Sequence, residues 1–500
     1  MIAAGWNMSV IAQKQQRLHA GIVALAAAIF AVSVIAVSYQ GSSTPKYALV
    51  SVGLLALILL SLLAYVRPLL TLAIALVFAT SPIQLVVSLQ WSALVSAFLL
   101  GGACLGFALR TPLRSMTSDP LILPVWIFAA YGIVSGAYGL LLGNEIGYVI
   151  GDFFQVMEFA AVYFLAVQLL NTDQKVRLLL RVLLISILIT IVLELVLFTL
   201  GPGAGNLLPS WEGGALVSTS LVRTIDIDAT ILFAVLINIY PFAASRGQRF
   251  WIWMALIPTV ANIALSLSRG LWLCTLIAAI ASLLLQATKV RKRLLAATAL
   301  LTICVVSLAG TWKIGSDSDG SLLSVLEDRV FHGVDQVEEG FAGTESMATR
   351  RFLEMAIVGP QVLAKPWMGY GLGATYVIGG FAVLDSGTTA LIDNHFIHNL
   401  YLVTAFRMGV VGLGLLLWVL VRYFRLALRA SRGMPPGIPK ALLIGFVASV
   451  VGQLFLSLTQ PTVIDHPTCA LIACVMALGL RLAAIHTPGH KGQMELTHGS

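Results

Sequence analysis

Charge is what this chain has least of. Only 10% of its 500 residues are charged, 30 basic and 22 acidic, against 59% hydrophobic residues. A soluble domain carries about 25% charged residues, so a water-soluble fold is excluded. Cysteine is nearly as scarce. Cys104, Cys274, Cys304, Cys469 and Cys474 all lie in apolar segments with no CxxC spacing, so they read as small hydrophobes and exclude neither redox compartment. There is no internal repeat, no low-complexity tract and no phosphate-cradling loop. Gly369-Tyr370-Gly371-Leu372-Gly373 has glycine spacing but no surrounding βαβ unit, so it is not a dinucleotide fingerprint.

What the chain does have is long apolar runs, at a mean hydropathy of +0.94. In a bilayer every backbone polar group must be satisfied internally, and runs of this length select helices over a barrel of short alternating strands. The expectation is an all-α, polytopic transmembrane bundle of about fourteen spans, at 18–39, 47–66, 68–89, 90–109, 120–142, 146–170, 177–200, 224–244, 250–267, 270–286, 294–312, 398–421, 440–460 and 466–485. The first run follows Lys14 and Arg17 and is too long for a signal-peptide core, so it reads as an uncleaved span.

With the N-terminus in the cytoplasm, 21 of the 30 Lys and Arg residues fall at inward ends, and the alternation holds at every cytoplasmic turn. Both termini are then cytoplasmic. The net charge of +8 reflects orientation in a membrane, not nucleic acid. The organisation reads as spans over 1–312, an outer loop over 313–397, and spans with a cytoplasmic tail over 398–500. The loop holds 11 of the 22 acidic residues and 5 basic ones. A loop this long tends to be functional. Leu323, Leu326, Val330, Val334 and Val337 recur at helical spacing, and a second helix is expected from Ser346 to about Leu363.

Chemistry-bearing residues collect where that loop ends. His398 opens a span on which Leu402, Ala405, Gly409 and Gly412 share its face, so it could meet a close-packed neighbour and a substrate together. Capping of the helix is the plainer role. His395 and His398 could form a metal pair, but no third ligand is near. Asn399 and Tyr401 flank the same junction as substrate-binding candidates. Among outward arginines, Arg269 lies in the turn Ser266-Leu267-Ser268-Arg269-Gly270 with no acid nearby; Arg223, Arg350 and Arg351 are weaker candidates. Arginine grips phosphate through two parallel hydrogen bonds. Arg407, on the helix face opposite His398, reads as structural. Asp152, Glu158 and Glu194 lie inside apolar runs and are functional candidates by default. Asp226 and Asp228 form a DxD that could hold a divalent metal, with a helix N-terminal charge role as the simpler account. Asp317-Ser318-Asp319-Gly320 has Leu322 where a calcium loop needs glycine and reads as a turn.

Three segments resemble the O-antigen ligase and O-antigen polymerase superfamily of bacterial membrane glycosyltransferases. Leu265–Leu273 is similar to its Ser-Arg-Gly turn. Arg351 followed by Lys365-Pro366-Trp367-Met368-Gly369-Tyr370-Gly371-Leu372-Gly373 is similar to its Pro-x-x-Gly-x-Gly segment. His398-Asn399 with Gly409 satisfies a histidine, ten residues, glycine pattern. The resemblance covers roughly 265–416. It implies a multi-pass enzyme of the bacterial inner membrane that moves a glycan from undecaprenyl diphosphate to a sugar hydroxyl at the periplasmic face. No cofactor, metal or nucleotide sugar is implied; the partners are the lipid-linked donor, a glycan or lipid A–core acceptor, and the bilayer. Carried over, His398 activates the acceptor hydroxyl, Arg269 steadies the diphosphate, and Arg223, Arg350 and Arg351 assist. The reading leans toward a polysaccharide polymerase, because a long acidic loop suits an extended polar glycan. A ligase onto lipid A–core is the alternative, and a polysaccharide transporter or flippase is the alternative of another class.

Overall fold

A computed structural model describes residues 67–80, 89–108, 119–200, 216–218, 221–222, 228–266, 268–287, 290–293, 295, 347–383, 389–459 and 468–487. The expected spans 18–39 and 47–66, nearly all of 294–312, the amphipathic stretch 323–337, and Arg223, Asp226 and Cys304 lie outside them.

The described helices are α1 (Pro68–Thr80), α2 (Leu89–Ala108), α3 (Ile122–Leu141), α4 (Ile146–Leu169), α5 (Asp173–Leu200), α6 (Asp228–Ile239), α7 (Arg246–Leu265), α8 (Arg269–Leu285), α9 (Met347–Ala364), α10 (Leu400–Gly433), α11 (Ile438–Leu456) and α12 (Thr468–His486). Six of these, α3, α4, α5, α10, α11 and α12, are long and apolar enough to cross a membrane. Among the described residues, strand is confined to two short antiparallel pairs, β1 (Leu216–Ser218) with β2 (Leu221–Val222), and β3 (Tyr376–Val383) with β4 (Thr389–Asn394). The second helix expected in the loop is present as α9.

α5 is apolar on more than one side, as a span must be: Leu183, Ile187 and Ile191 are buried, while Leu178, Ile185, Ile189 and Val192 face outward. α12 is the axial helix: every residue from Cys469 to Leu478 is buried, and it packs against α4, α10 and α11. α11 in turn packs on α6 and α8. Cys274, Cys469 and Cys474 are buried, in keeping with their reading as small hydrophobes.

Local sequence sets the helix ends. α7 opens with a capping box in which Ser245 and Gln248 satisfy each other's backbone N–H. Ser268 caps α8 and Asn399 caps α10. α10 runs through Arg422, Arg425, Arg429 and Arg432 to Gly433, well beyond the expected end at 421.

The bundle has two unlike ends. At one, His486 meets Asp173 at 3.3 Å, Arg481 Nε donates to the Leu170 carbonyl at 2.9 Å, and Arg293 donates to Pro241. At the other lie the α3–α4 turn, the loop residues 347–383 and 389–399, the start of α8 and the end of α11.

The intramembrane acids are held separately. Glu158 accepts from Cys469 Sγ at 3.1 Å and Glu194 from Asn262 at 2.7 Å. Asp152 belongs to the loop end.

Candidate active site

The site is built on a strap, Pro366–Gly373, lodged between the α3–α4 hairpin and α10. Gly369, Gly371 and Gly373 have φ of 65°, 80° and 78°, a region that L side chains rarely adopt. Space demands glycine as well: a Cβ on Gly371 would land on the Gly139 backbone, and one on Gly369 on the Phe406 carbonyl.

Gly409, with φ 66° and ψ −176°, breaks α10 beside the strap. The break redirects two backbone groups that a continuous helix would pair with each other. Val410 N–H donates to the Pro366 carbonyl at 2.7 Å, and the Phe406 carbonyl accepts from Tyr370 N–H at 2.8 Å. Both groups of that pair are thus satisfied by the strap, while the Arg407 and Met408 carbonyls beside the kink accept from the Ser135 and Tyr131 hydroxyls of α3 at 3.2 and 3.0 Å. Asn144 clamps the other edge, donating to the Tyr370 and Leu372 carbonyls at 2.9 Å each. Further along the expected glycine face, Gly412 lies close to Tyr131 of α3.

His398 stands at the mouth of this assembly with its side chain 39% exposed. Glu354, on α9 and only 5% exposed, holds it twice. One carboxylate oxygen accepts from the His398 backbone N–H at 2.7 Å, and the other lies 3.0 Å from Nδ1. A carboxylate only accepts, so Nδ1 is assigned the proton and Nε2 the lone pair. Tyr376 lies against the same carboxylate; burial first, and the Glu354 charge second, push its hydroxyl pKa up, so it remains a neutral donor. The Phe396 ring meets the His398 imidazole edge-on at 4.8 Å.

His395 is turned to a different set of partners. Its ring stacks on Tyr148 at 4.2 Å and lies 3.2 Å from Asp152. Asp152 also accepts from Arg407 Nη1 at 2.7 Å and from Gly373 N–H at 2.7 Å. The two imidazoles therefore do not converge as a metal pair would.

The other expected site residues distribute as follows. Asn399 caps α10 and donates to the Leu458 carbonyl at 3.0 Å; Tyr401 donates to the Leu454 carbonyl at 2.8 Å. Both side chains thus hold the end of α11, which the expectation of substrate contact did not anticipate. That same turn receives Leu400 N–H on Ser457 and lies against Gly270, whose added Cβ would sit 3.0 Å from Leu456 and 3.3 Å from Thr459. The first residues of α8, Arg269 and Gly270, and the His398 junction are therefore brought to the same turn of α11. Of Arg269, Arg350 and Arg351 only the backbone is among the described features. Arg350 and Arg351 occupy the first turn of α9, one turn before Glu354. Asp228 is buried at the start of α6.

Glu354 is the residue sequence reasoning missed. It is one of eleven acids in an acidic loop, and only its place on the expected helix, half-way to the strap, could have marked it. Arg407 was expected to be structural; burial and pairing with Asp152 show what it is structural for.

Residues 253–417 match a protein-family model described as O-antigen ligase. The matched segment runs from α7 through the loop into α10 and includes Arg269, Glu354, the strap, His398 and Gly409; Asp152 lies before it. No curated protein matches the chain. The match supports the O-antigen ligase and polymerase superfamily that the three motifs resemble, and with it a multi-pass membrane enzyme of that type.

Proposed function

We propose that this protein is a membrane glycosyltransferase that moves a glycan from undecaprenyl diphosphate to a sugar hydroxyl at the outer face of the bacterial inner membrane. The observation that carries the reading is the grip of Glu354 on His398, 2.7 Å to the backbone nitrogen and 3.0 Å to Nδ1. A buried carboxylate behind Nδ1 leaves Nε2 as a base facing the open side. A transporter has no need of this arrangement.

His398 Nε2 takes the proton of the acceptor hydroxyl as its oxygen attacks the anomeric carbon. The bond from that carbon to the diphosphate oxygen breaks, and undecaprenyl diphosphate leaves with the electron pair. Glu354 stabilises the imidazolium formed. Arg269 steadies the charge developing on the diphosphate, aided by the backbone N–H groups at the N-terminus of α8. Arg223, Arg350 and Arg351 are secondary candidates for the same grip. The family resemblance implies that no metal is needed, so chelator should leave turnover intact; arrest by EDTA would instead put Asp226 and Asp228 on a metal.

The basic end of the bundle is then cytoplasmic, by the positive-inside rule, and the strap and His398 are periplasmic. For the acceptor, the long acidic loop favours a second lipid-linked glycan, making the protein a polymerase. The description of the matched family favours the second reading, ligation onto lipid A–core. Purified protein given only undecaprenyl-diphosphate repeat units should yield a ladder of longer lipid-linked products. No product until lipid A–core is added, and then one conjugate per acceptor, would establish the ligase reading instead.

A further inference from the structure

Asp152 and Arg407 are 255 positions apart in sequence and meet where almost no solvent reaches them, with side chains 5% and 8% exposed. Removing two charges from water is costly, and such pairs often stabilise a fold no better than apolar residues would; a registry role is their best-attested use. Here the pair touches the chain at defined points. Asp152 receives Gly373 N–H at the end of the strap, while Arg407 Nη2 donates to the His395 carbonyl at 2.5 Å and lies 3.1–3.2 Å from both His395 ring nitrogens. Tyr148 closes the opposite face of that ring.

The segment His395-Phe396-Ile397-His398 is consequently anchored at both ends. Arg407 and Asp152 hold the first residue, and Glu354 holds the last through backbone and ring. Between them Ile397 is buried against Val358 and Val403, which prevents the segment from turning about its anchors.

We propose that Asp152, Arg407 and His395 are positioning residues for the His398 base: a buried strut that fixes where Nε2 stands relative to the strap. The inference rests on the reading of His398 as the general base. Both side chains are almost wholly withdrawn from solvent. Arg407 meets Asp152 and the His395 carbonyl through two different nitrogens, which a lysine, with one, cannot do. A displacement of about 1 Å at a reacting group can cost about 100-fold in rate, so the strut acts on turnover without touching the glycan.

The test uses full-length protein in lipid nanodiscs, comparing wild type, Asp152→Asn, Arg407→Lys and the doubly neutral Asp152→Asn/Arg407→Gln, which leaves no unpaired buried charge if a single variant fails to fold. Folded variants should lose about 100-fold in kcat while KM for donor and acceptor stays within about threefold. The double variant should be no worse than the worse single one. Amide exchange should rise about tenfold at 370–373 and 395–398 and stay unchanged in α12. Near-normal kcat in the folded double variant overturns the proposal, as does a loss confined to KM, which would make Arg407 a substrate contact. Faster exchange throughout the bundle overturns it too, leaving the pair a fold residue only. If wild-type protein transfers no glycan from any lipid diphosphate, the functional reading fails by itself; the exchange pattern still decides whether the strut exists.

Discussion

The two ends of the bundle both carry charge but use it in opposite ways. At the basic end Arg177 pairs with Asp173 within one helix, and the side chains are 60% and 28% exposed. Exposed pairs of this kind contribute about 0–1 kcal/mol. Arg422, Arg425 and Arg429 line the last turns of α10 there, and in the proposed topology their number serves orientation. At the loop end three charges are buried and singular. Glu354, Asp152 and Arg407 each meet partners from distant parts of the chain, and removing one partner of a buried pair costs about 3–5 kcal/mol. One end needs only a sum of positive charge, whereas the other needs particular atoms at particular distances. A membrane enzyme separates orientation from chemistry in this way, and the contrast can be broken by substitution.

The largest effect is expected at His398. His398→Ala should reduce glycan transfer by about 10²–10⁴-fold while the protein inserts and folds normally. Glu354→Gln keeps the shape and one hydrogen-bonding oxygen but removes the charge that stabilises the imidazolium, so its loss should be smaller and should fall on kcat. Steady-state turnover of the purified variants measures both. Near-normal activity of His398→Ala would end the base assignment and with it the contrast between the ends.

Arg269 comes next. Loss of a group that stabilises developing charge typically costs about 10²–10³-fold in kcat, and lysine should not restore it, because one ammonium cannot replace a planar fork. Full activity in Arg269→Lys would reduce the residue to a point charge at a helix start.

How much of this was legible in the sequence depends on the range of the interaction involved. Hydropathy is a local sum, so the six described helices long and apolar enough to cross a membrane, and the helix α9 in the loop, could be read directly. His398 and Arg269 stand out as candidates because local motifs carry them. Glu354 does not, because its meaning comes from His398, 44 positions away. Asp152 was visible as an acid in an apolar run, but its partner was not. Arg407 looked like the unremarkable back of a helix until the kink at Gly409 turned the strap toward it. Asn399 and Tyr401 were noticed for their position, and their bonds to α11 are tertiary facts that no periodicity encodes. α10 runs on past the expected span end at 421 because a helix leaving the bilayer has no reason to stop at its basic turns.

A stability prediction sharpens the contrast without involving the reaction. Gly371→Ala places a methyl group on the Gly139 backbone at a φ of 80°, and neither neighbour is a flexible side chain that could yield. Overpacking of this kind costs about 1–3 kcal/mol, with about 1–3 more for the strained backbone. The strap should loosen before the bundle does. Limited proteolysis should cut near 366–373 in the variant while α12 stays intact. An uncut, fully active variant would mean that the strap tolerates a Cβ and that its glycines are not required by space.

The smallest effect belongs to the basic end. Asp173 accepts from both Arg177 and His486, so Asp173→Asn removes two ion pairs at once, as many as Asp152→Asn removes at the loop end. If ion pairs contributed by number, this would be among the most damaging substitutions. It should instead shift unfolding in detergent by less than about 1 kcal/mol and leave turnover unchanged, because all three side chains keep access to water and the amide can still hydrogen-bond. Removing the acid also makes that end more positive, which reinforces cytoplasmic retention, so impermeant labelling of a cysteine placed at Ser431 should remain absent in intact cells. A loss of turnover comparable to that of Asp152→Asn would show that the two ends are coupled through α4, α5 and α12, and the division between orienting charge and chemical charge would have to be abandoned.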